Sequence, residues 1–457
     1  MNLRSVRLFL LITREYLKRN AIRVIGGIVL IMLLVIFQTR LKLFYSPDII
    51  RVGLIGTYQE HDLPIEVTRL LSSGLIEASS DGKIKPNLVS GWETNNDATS
   101  FKFKLKDLKW VDKETVKASD LEFSIPNTNV SFPDDKIIQF DLKESYSPLP
   151  SLLTKPIFKK GTLIGTGPYK IKKIEKSRIF ITKLILEPQD GKSPGIVVRF
   201  YPNEKIAVTG FNLGEVQVLM GLSNPKLVGS SPLIGAVQTI DYSKIVTILF
   251  QTTDSLLHNR SLRQSLAFQT PKIENEEVAN NPYPPQSWAR DSDSKKYLSN
   301  PEEAAAALER AKSTLPDDQL RSGLILTATP NLEEVGKVVV ESWKKLGFDS
   351  KLRIESGIPQ NFQALLITQS IPVDPDQYFL WHATQAKTNL TRYDSKRVDK
   401  DLEDGRKIIS EEDRKVKYFD FQKTLLEDAP AVFLYFPKHN VIYLKKLEPF
   451  LNKILIP

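Results

Sequence analysis

The chain contains no cysteine and only four histidines, His61, His258, His382 and His439. It therefore has no disulfide bonds, no thiolate ligands for zinc, and no cysteine to which a bacterial lipoprotein would attach its lipid. The histidines stand far apart, without the His-x-x-x-His spacing that places two imidazoles on one face of a helix. The sequence thus predicts no metal site.

Catalytic and phosphate-binding motifs are absent as well. The chain has no Gly-x-Ser-x-Gly elbow and no glycine-rich loop ending in Lys-Ser or Lys-Thr. Gly165-Thr-Gly-Pro168 is predicted to be a turn, because its proline lacks the N–H that a phosphate cradle would use. Asp374 and Asp376 flank a proline, a pattern more typical of loop-capping carboxylates than of an acid/base pair. We therefore predict that the chain is not an enzyme and uses no cofactor.

Positive charge is concentrated at the N-terminus, and the rest of the chain has little excess of it. Residues 1–23 carry a net charge of +5, and Arg40 and Lys42 add two more, which leaves +2 of the total of +9 for everything that follows. A nucleic-acid-binding protein needs a concentrated basic face to neutralise phosphates. We exclude nucleic acid as a partner, and we assign the basic end to anionic lipid headgroups.

The sequence has one long uncharged run, residues 24–39. It is short for a full span, ~24 Å of helix at ~1.5 Å per residue. The long basic side chains of Arg23, Arg40 and Lys42 can extend it, because their stems stay in the bilayer while their charges reach water. Since basic flanks stay on the cytoplasmic side, residues 1–23 are predicted to be cytoplasmic and the body extracytoplasmic.

A cleaved signal peptide is the alternative interpretation of this run. Cleavage requires small residues just after the apolar core, and residues 38–45 are instead bulky and basic. We therefore expect an uncleaved signal anchor, a single transmembrane helix over residues 24–39 that holds the protein in the cell membrane.

The body behind this segment has about 410 residues, more than one hydrophobic core usually contains, so two lobes are expected. Strand and helix patterns alternate along it, which predicts α/β layers. Residues 324–327, 332–346 and 351–354 are predicted to form a strand-helix-strand unit. Asn300, followed by a proline, is predicted to cap the helix before this unit.

Ten short motifs follow one another between residues 70 and 430. Each is common by itself, and their order is the informative feature. In chain order they are Leu70-Leu-Ser-Ser-Gly-Leu-Ile76, Asp81-Gly-Lys-Ile-Lys-Pro-Asn-Leu-Val-Ser-Gly-Trp92, Phe101-Lys-Phe-Lys-Leu105, Trp110-Val-Asp112, Val116-Lys-Ala-Ser-Asp-Leu-Glu-Phe-Ser124, Gly165-Thr-Gly-Pro-Tyr-Lys170, Asn259-Arg-Ser-Leu-Arg-Gln-Ser-Leu-Ala267, Pro284-Pro-Gln-Ser-Trp288, Asp374-Pro-Asp376 followed by Asn389, Tyr393 and Asp399, and Glu427-Asp-Ala-Pro430.

With these motifs in this order, the chain resembles the family 5 solute-binding proteins of bacterial oligopeptide and dipeptide ABC importers. The resemblance implies an α/β, two-lobed clamp of the periplasmic-binding-protein-like type II fold, with the ligand between the lobes. It places the hinge strands at residues 245–252 and 432–437. Lobe one then spans residues 46–250, completed by 438–457, and lobe two spans residues 253–431. The implied partners are a peptide or peptide-like solute and ABC permease subunits.

The chain departs from the family pattern in three places. Only 40 residues separate Ser124 from Gly165, where members of the family carry a longer, helix-bearing stretch, so the accessory subdomain is expected to be reduced. The family's Gly-Glu-Ile-Asp is Gly214-Glu-Val-Gln217 here. Peptide-binding members pair a carboxylate with the peptide's α-amino group at the position of Ile371. Because an unpaired ammonium in a dry cleft is costly, free peptides are not expected to bind in the usual register.

The resemblance nominates six ligand-binding residues. Aromatic rings would provide apolar walls that tolerate many sequences, and an asparagine can hydrogen-bond to a peptide backbone. For these side chains the alternative role is core packing or loop capping. The six are Tyr58, Trp288, Asp374, Trp381, Asn389 and Tyr393.

Two functions are consistent with this sequence. The first is a membrane-anchored extracytoplasmic solute-binding protein that delivers peptides or similar extended solutes to an ABC permease. The alternative is a sensor or scaffold on the same fold, uncoupled from transport, with a degenerate pocket. The reduced subdomain and Ile371 favour the alternative, and a pocket filled by the protein's own side chains would support it.

Overall fold

The structure, a computed structural model, describes residues 49–297, 299–316 and 323–451, together with Met32. The predicted cytoplasmic segment 1–23 lies outside these ranges, and so does the predicted anchor 24–39 apart from Met32. Among the residues that are described, no helix combines the length and the apolar character that crossing a bilayer requires.

The described chain alternates strands and helices, as the sequence predicts. The strands are β1 Ile49–Ile55, β2 Ile76–Ala78, β3 Ile84–Pro86, β4 Val89–Thr94, β5 Ser100–Leu105, β6 Thr128–Asp134, β7 Ile137–Leu142, β8 Tyr169–Ser177, β9 Phe180–Pro188, β10 Gly195–Tyr201, β11 Val218–Met220, β12 Ile234–Ile240, β13 Lys244–Phe250, β14 Glu277–Val278, β15 Leu324–Ala328, β16 Ser350–Ile354, β17 Ala364–Ser370, β18 Ala431–Phe436 and β19 Lys438–Leu444. The helices are α1 Ile65–Leu71, α2 Leu149–Leu152, α3 Glu204–Asn212, α4 Arg260–Gln269, α5 Pro301–Lys312, α6 Glu333–Lys344, α7 Tyr378–Trp381, α8 Lys396–Gly405 and α9 Glu411–Asp428.

Lobe one is built on a seven-stranded sheet in the order β12-β19-β11-β1-β10-β9-β8. Its centre is parallel, because β1 pairs in parallel with β10 and β11, whereas the pairs outside this centre are antiparallel. Helix α1 packs on one face through Val67 and Leu70, next to Ile50 and Val52 of β1. Helix α3 covers the other face. Helices on both faces of a partly parallel sheet are the α/β layers that the sequence predicts.

Lobe two is built on a six-stranded sheet in the order β14-β18-β13-β17-β15-β16. The central strand β13 separates two apolar cores. Val246, Ile248 and Phe250 pack with α4, α5 and α6 on one face, while Ile245 and Leu249 pack with α8 and α9 on the other. A strand buried on both faces is a continuous apolar run in sequence, and residues 245–250 have this character.

The predicted strand-helix-strand unit is confirmed as β15, α6 and β16, with the two strands parallel. The predicted cap is confirmed as well, because Asn300 Oδ1 accepts a hydrogen bond from Glu303 N at 3.2 Å. Both features are local, so the nearby sequence is enough to specify them.

Two short connections join the lobes, one from β12 to β13 and the other from β18 to β19. Asp241 N donates a hydrogen bond to Pro437 O at 2.8 Å, which holds the connections side by side. The first crossing therefore lies at residues 241–243 and not at residues 245–252, and the second is Pro437 alone, the last residue of the predicted range 432–437. The physical reason is burial: residues 245–250 and 431–436 are apolar enough to be strands inside lobe two, and only the polar residues between the sheets are left to cross.

A smaller accessory subdomain is attached to lobe one. It consists of the four-stranded sheet β4-β5-β7-β6 and the hairpin β2-β3. Its own core contains Phe101, Phe103, Trp110 and Phe140, all fully buried. Between residues 121 and 164, all of which the structure describes, the only helix is the four-residue α2. The subdomain is thus small, in agreement with the short spacing in the sequence.

The Gly165-Thr-Gly-Pro turn fits against the end of α1. Gly167 N donates to Leu71 O at 2.8 Å. A Cβ atom on Gly165 would lie only 2.2 Å from Leu71 O, and one on Gly167 only 2.5 Å from Leu71 C. Both contacts are with backbone, which cannot rotate away. The predicted turn is confirmed, and its glycines are required for a close approach of two backbones.

This approach can be tested with Gly165→Ala. We expect the substitution to lower the free energy of unfolding by about 1–3 kcal/mol, as overpacking in a tight region does. The matched control is Gly91→Ala in β4, where an added Cβ would have no neighbour within 4 Å. Urea denaturation of the full-length chain measures both, and equal stabilities for the two variants would contradict the packing role.

Candidate ligand cleft

The facing edges of the two sheets define a cleft. Strands β1, β10 and β11 of lobe one and β15 and β17 of lobe two all end on the side of the hinge connections. In open α/β sheets ligands bind outside the carboxyl ends of the strands. The space between these two edges is therefore the candidate ligand cleft.

A cavity of about 1040 Å³, the hinge cavity, lies in this cleft beside the two connections. Lobe one contributes the segment after β11 and the start of α3, and lobe two contributes the segment after β15 and part of β17. Its wall carries both signs of charge. The charged residues are Glu204, Lys226, Asp241, Lys244, Glu274, Glu276 and Lys438.

Several polar groups in this wall are held rigidly by their neighbours. Both carboxylate oxygens of Glu204 accept hydrogen bonds from Ser223, one from its N at 2.8 Å and one from its Oγ at 2.9 Å. Asn440 Nδ2 donates to Leu222 O at 2.7 Å, and Asn440 Oδ1 accepts from Gln238 Nε2 at 2.7 Å. These bonds fix the lobe-one wall of the hinge cavity.

The carboxylate of Glu276, by contrast, lacks a hydrogen bond at one of its oxygens. Its Oε2 atom is buried and has no hydrogen-bond partner, and Lys438 Nζ lies 3.9 Å away. Burial raises the pKa of the Glu276 carboxyl, and the charge of Lys438 offsets part of that increase. A buried acceptor without a donor is costly. A ligand that brings a donor to this oxygen would remove the cost.

On its other side the cleft is closed by direct contact, which we call the accessory interface. It joins residues 81–83 and 145–147 of lobe one to Trp288, residues 373–374 and residues 406–411 of lobe two. Trp288 N donates to Asp81 O at 3.2 Å, and Ser147 N donates to Arg406 O at 2.8 Å. The pocket left within this interface measures only about 200 Å³.

Asp374 and Trp288 come together at this interface. Arg414 binds Asp374 with two hydrogen bonds of 2.5 and 3.0 Å, and its guanidinium lies 5.5 Å from the Trp288 ring centre. Burial alone would lower the pKa of Arg414, but Asp374 and Tyr418 more than offset this, and the pKa is raised. Asp374 is therefore neutralised by the chain's own arginine.

The loop-capping role predicted for the Asp-Pro-Asp segment is confirmed. Asp374 Oδ1 accepts from Asp376 N at 2.9 Å, and Asp376 Oδ1 accepts from Tyr378 N at 3.1 Å. Each carboxylate thus closes a short turn and also binds an arginine, since Arg406 Nη2 donates to Asp376 Oδ2 at 2.9 Å.

Three other nominated residues lie in the core of lobe two, each at most 3% exposed: Trp381, Asn389 and Tyr393. The Asn389 amide donates to the carbonyl oxygens of Tyr393 at 2.8 Å, Trp381 at 3.3 Å and His382 at 3.4 Å. Tyr393 donates its hydroxyl to Asp428 at 2.6 Å. In this structure they stabilise the loop between α7 and α8 and present no polar group to the cleft.

Tyr58 does not contact the other five nominated residues. It follows β1 and is half-buried. Its hydroxyl donates to Ile55 O at 3.1 Å, and its ring centre lies 5.2 Å from that of Phe200. Ile371 directly follows β17, and its N donates to Ser243 O at 2.7 Å beside the hinge. The structure therefore places the six nominated residues in three locations: Trp288 and Asp374 at the accessory interface, Trp381, Asn389 and Tyr393 together in the core of lobe two, and Tyr58 by itself after β1.

Sequence reasoning missed the polar residues of the hinge cavity and both arginines of the accessory interface. Glu276 and Asn440 belong to no motif, and Arg414 and Arg406 lie in or after ordinary amphipathic helices. Their partners are distant in sequence: Lys438 lies 162 residues after Glu276 (438 − 276), and Arg414 lies 40 residues after Asp374. No local signal could have identified them.

Comparison with known proteins agrees with this architecture. The oligopeptide-binding protein AppA of Bacillus subtilis is 25% identical over 331 residues, 64% of this chain and 60% of AppA. The match thus spans less than two thirds of that relative. The probable D,D-dipeptide-binding periplasmic protein DdpA of Escherichia coli is 21% identical over 444 residues, 82% of this chain and 84% of DdpA.

Solved structures share the fold. NikZ from Campylobacter jejuni, in complex with Ni(L-His), superposes with a TM-score of 0.71 and 21% identity over 88% of this chain and 94% of NikZ. AppA from B. subtilis, in complex with a nonapeptide, gives a TM-score of 0.67 and 19% identity over 88% of this chain and 95% of AppA. These likenesses show the two-lobed α/β fold.

The family itself is shown by the sequence. The profile of the middle region of the bacterial extracellular solute-binding proteins, family 5, matches residues 83–389, which is more than half of the chain. The matched range covers most of the accessory subdomain, both sides of the β12–β13 connection and the Asp374 loop. The chain belongs to the bacterial extracellular solute-binding proteins of family 5.

Proposed function

We propose that this protein is an extracytoplasmic solute-binding protein that captures peptides or similar extended solutes for an ABC importer. The observation that carries the proposal is the hinge cavity, whose polar wall is shared by both lobes. A ligand that contacts both lobes binds the closed arrangement better and so draws the lobes together. An ABC permease would then receive the solute from the closed protein.

The relatives support the solute class. AppA is named an oligopeptide-binding protein and its solved structure holds a nonapeptide, while DdpA is named a probable D,D-dipeptide-binding protein. The hinge cavity offers what an extended polar chain needs: acceptors, donors and both signs of charge along one wall. Peptide-like solutes are the class that this wall fits best.

The ligand's α-amino group is the point on which this protein should differ from peptide-binding relatives. Ile371 offers no charge, and Asp374, three residues later, is already bound by Arg414. A charged ammonium placed beside Ile371 would lose its hydration without gaining a partner. Solutes with a blocked or absent α-amino group should therefore be preferred.

Calorimetry on the full-length chain in mild detergent tests this preference. We expect an N-acetylated peptide pool to bind at least as tightly as the matched free-amino pool. Ile371→Asp should strengthen binding of the free-amino pool by about tenfold or more, because a charge-assisted hydrogen bond contributes about 1.5–3 kcal/mol. Ile358→Asp is the matched control, since Ile358 is 57% exposed and the added charge is the same.

The outcomes separate the possibilities. A clear preference of the unmutated chain for the free-amino pool would contradict the proposed ligand class. Binding of neither pool would favour the alternative function, a sensor or scaffold uncoupled from transport. The accessory interface is the observation that favours that alternative, because the two lobes contact each other directly there and leave a pocket of only about 200 Å³.

We also propose that residues 24–39 anchor the protein in the cell membrane, with residues 1–23 in the cytoplasm. The support is the uncharged run and its one-sided basic flank. The body after Lys42 is nearly neutral, so we expect no strong electrostatic attraction between it and the anionic lipids of the bilayer. A tether would keep it close to a permease without any lipid attachment.

Protease protection tests this topology. Protease added to intact spheroplasts should digest the body and leave a small membrane-bound fragment, because residues 1–39 would lie inside or within the bilayer. Spheroplasts opened with detergent are the control, in which that fragment should disappear too. Release of a soluble mature protein into the medium would rule out the uncleaved anchor.

A further inference from the structure

At the accessory interface, both the backbone and the side chain of Arg406 contact lobe one. Arg406 directly follows helix α8. Its carbonyl oxygen accepts a hydrogen bond from Ser147 N of lobe one at 2.8 Å. The next carbonyl, that of Lys407, lies 3.4 Å from Ser145 Oγ, whose proton is donated to Asp97 O. The last carbonyls of a helix have no partner within the helix. Lobe one thus supplies a hydrogen bond at the end of a lobe-two helix.

The Arg406 side chain also spans the boundary between the lobes. Its guanidinium carbon lies 4.0 Å from the ring centre of Tyr378 in lobe two and 4.9 Å from that of Tyr146 in lobe one. Its Nη2 donates to Asp376 Oδ2 at 2.9 Å. The guanidinium is therefore held between two tyrosine rings and bound at its edge by a carboxylate. This arrangement suits a flat cation.

The Asp376 carboxylate of this site is buried, so its negative charge is costly unless a cation lies beside it. Asp376 is nearly fully buried. Burial raises the pKa of its carboxyl, and Arg406 offsets part of the increase. Removing one partner of a buried ion pair leaves an uncompensated charge, which is strongly unfavourable. Arg406 is not fully satisfied itself, since its Nε is buried without a hydrogen-bond partner.

The other contacts across the interface are a backbone hydrogen bond from Trp288 N to Asp81 O at 3.2 Å and two weaker ones. Lys83 and Glu411 form an ion pair of 3.1 Å, but both side chains are about half exposed, and such pairs contribute little. Gly82 approaches Val373 O closely and adds no side chain. The Arg406 site is therefore the contact between the accessory subdomain and lobe two in which a buried ion pair meets a side chain of lobe one.

We propose that Asp376, Tyr146 and Tyr378 form a guanidinium-binding site between the lobes, which Arg406 occupies from within the chain and thereby holds the accessory subdomain on lobe two. The cleft then opens on this side only when the guanidinium leaves at least Tyr146. A solute that carries a guanidinium group competes for the same site. This consequence for solutes rests on the proposed function, whereas the site itself does not.

A distance measurement between the lobes tests the site without any solute. Because the chain has no cysteine, two introduced cysteines can be spin-labelled cleanly, one at Lys102 on the accessory subdomain and one at Lys423 on α9, both exposed. Pulsed electron paramagnetic resonance is recorded on the full-length chain in detergent. The matched variants are Arg406→Ala and Arg397→Ala, because Arg397 lies on α8, is exposed and has only a 3.8 Å contact with Asp420.

We expect one narrow distance distribution for the parent and for Arg397→Ala. Arg406→Ala should add a longer-distance population, at least about tenfold larger than in the parent, because it removes the ion pair and both ring contacts. Ethylguanidinium should restore the short distance in Arg406→Ala. Ethylammonium, which has the same charge but no planar fork, should restore it much less.

Two results would overturn the proposal. One is an unchanged distribution in Arg406→Ala, and the other is equal opening in Arg397→Ala. If Arg406→Ala does not fold by circular dichroism, Tyr146→Leu removes the lobe-one ring and leaves lobe two intact, and its failure to broaden the distribution would be equally decisive. The peptide calorimetry can fail while this experiment succeeds, so the two hypotheses are judged separately.

Discussion

The hydrogen bond from Asp241 N to Pro437 O is the interaction on which the architecture depends, because it pairs the only two crossings between the sheets in the described chain. Each crossing leaves one sheet and enters the other within three residues. The edge where the parallel strands end in lobe one must therefore face the corresponding edge of lobe two. Rotation about these short connections changes the separation of the lobes and leaves every strand pair intact, which is how hinged clamps close around ligands.

Electrostatics divides the cleft into two unlike sides. At the accessory interface, Asp374 and Asp376 are each bound by an arginine of lobe two, so both carboxylates have a partner of opposite charge within the chain. In the hinge cavity, Glu276 keeps a buried oxygen without a hydrogen bond. Because an unsatisfied buried acceptor gains from a donor and a satisfied pair does not, the hinge cavity is the side that gains free energy from a polar solute.

The sequence predicted those parts of the fold that depend on neighbouring residues. The unit of β15, α6 and β16 and the Asn300 cap follow from periodicity and from one side chain, and both are confirmed. The first crossing was misplaced, and the second was predicted too long, because residues 245–250 and 431–436 have the composition of buried strands whichever lobe contains them. Only the pairing of these strands with each other and with β17 shows that they belong to lobe two. For Asn389 the sequence could not distinguish a cleft residue from a loop cap, since the deciding carbonyl groups are brought to it by tertiary folding.

The Asp-Pro-Asp segment has two structural roles in this protein: its carboxylates cap turns, and they also pair with arginines. Its carboxylates cap turns in the same way whether or not a ligand is near, because those hydrogen bonds come from the backbone two residues on. What the second oxygen of each carboxylate binds depends on distant helices, and here α8 and α9 deliver Arg406 and Arg414. The small accessory subdomain reaches Arg406 directly, because the Tyr146 ring centre lies 4.9 Å from its guanidinium carbon. On this side of the cleft the acids of lobe two are therefore paired within the protein, and the small accessory subdomain of lobe one packs against the arginine that pairs one of them.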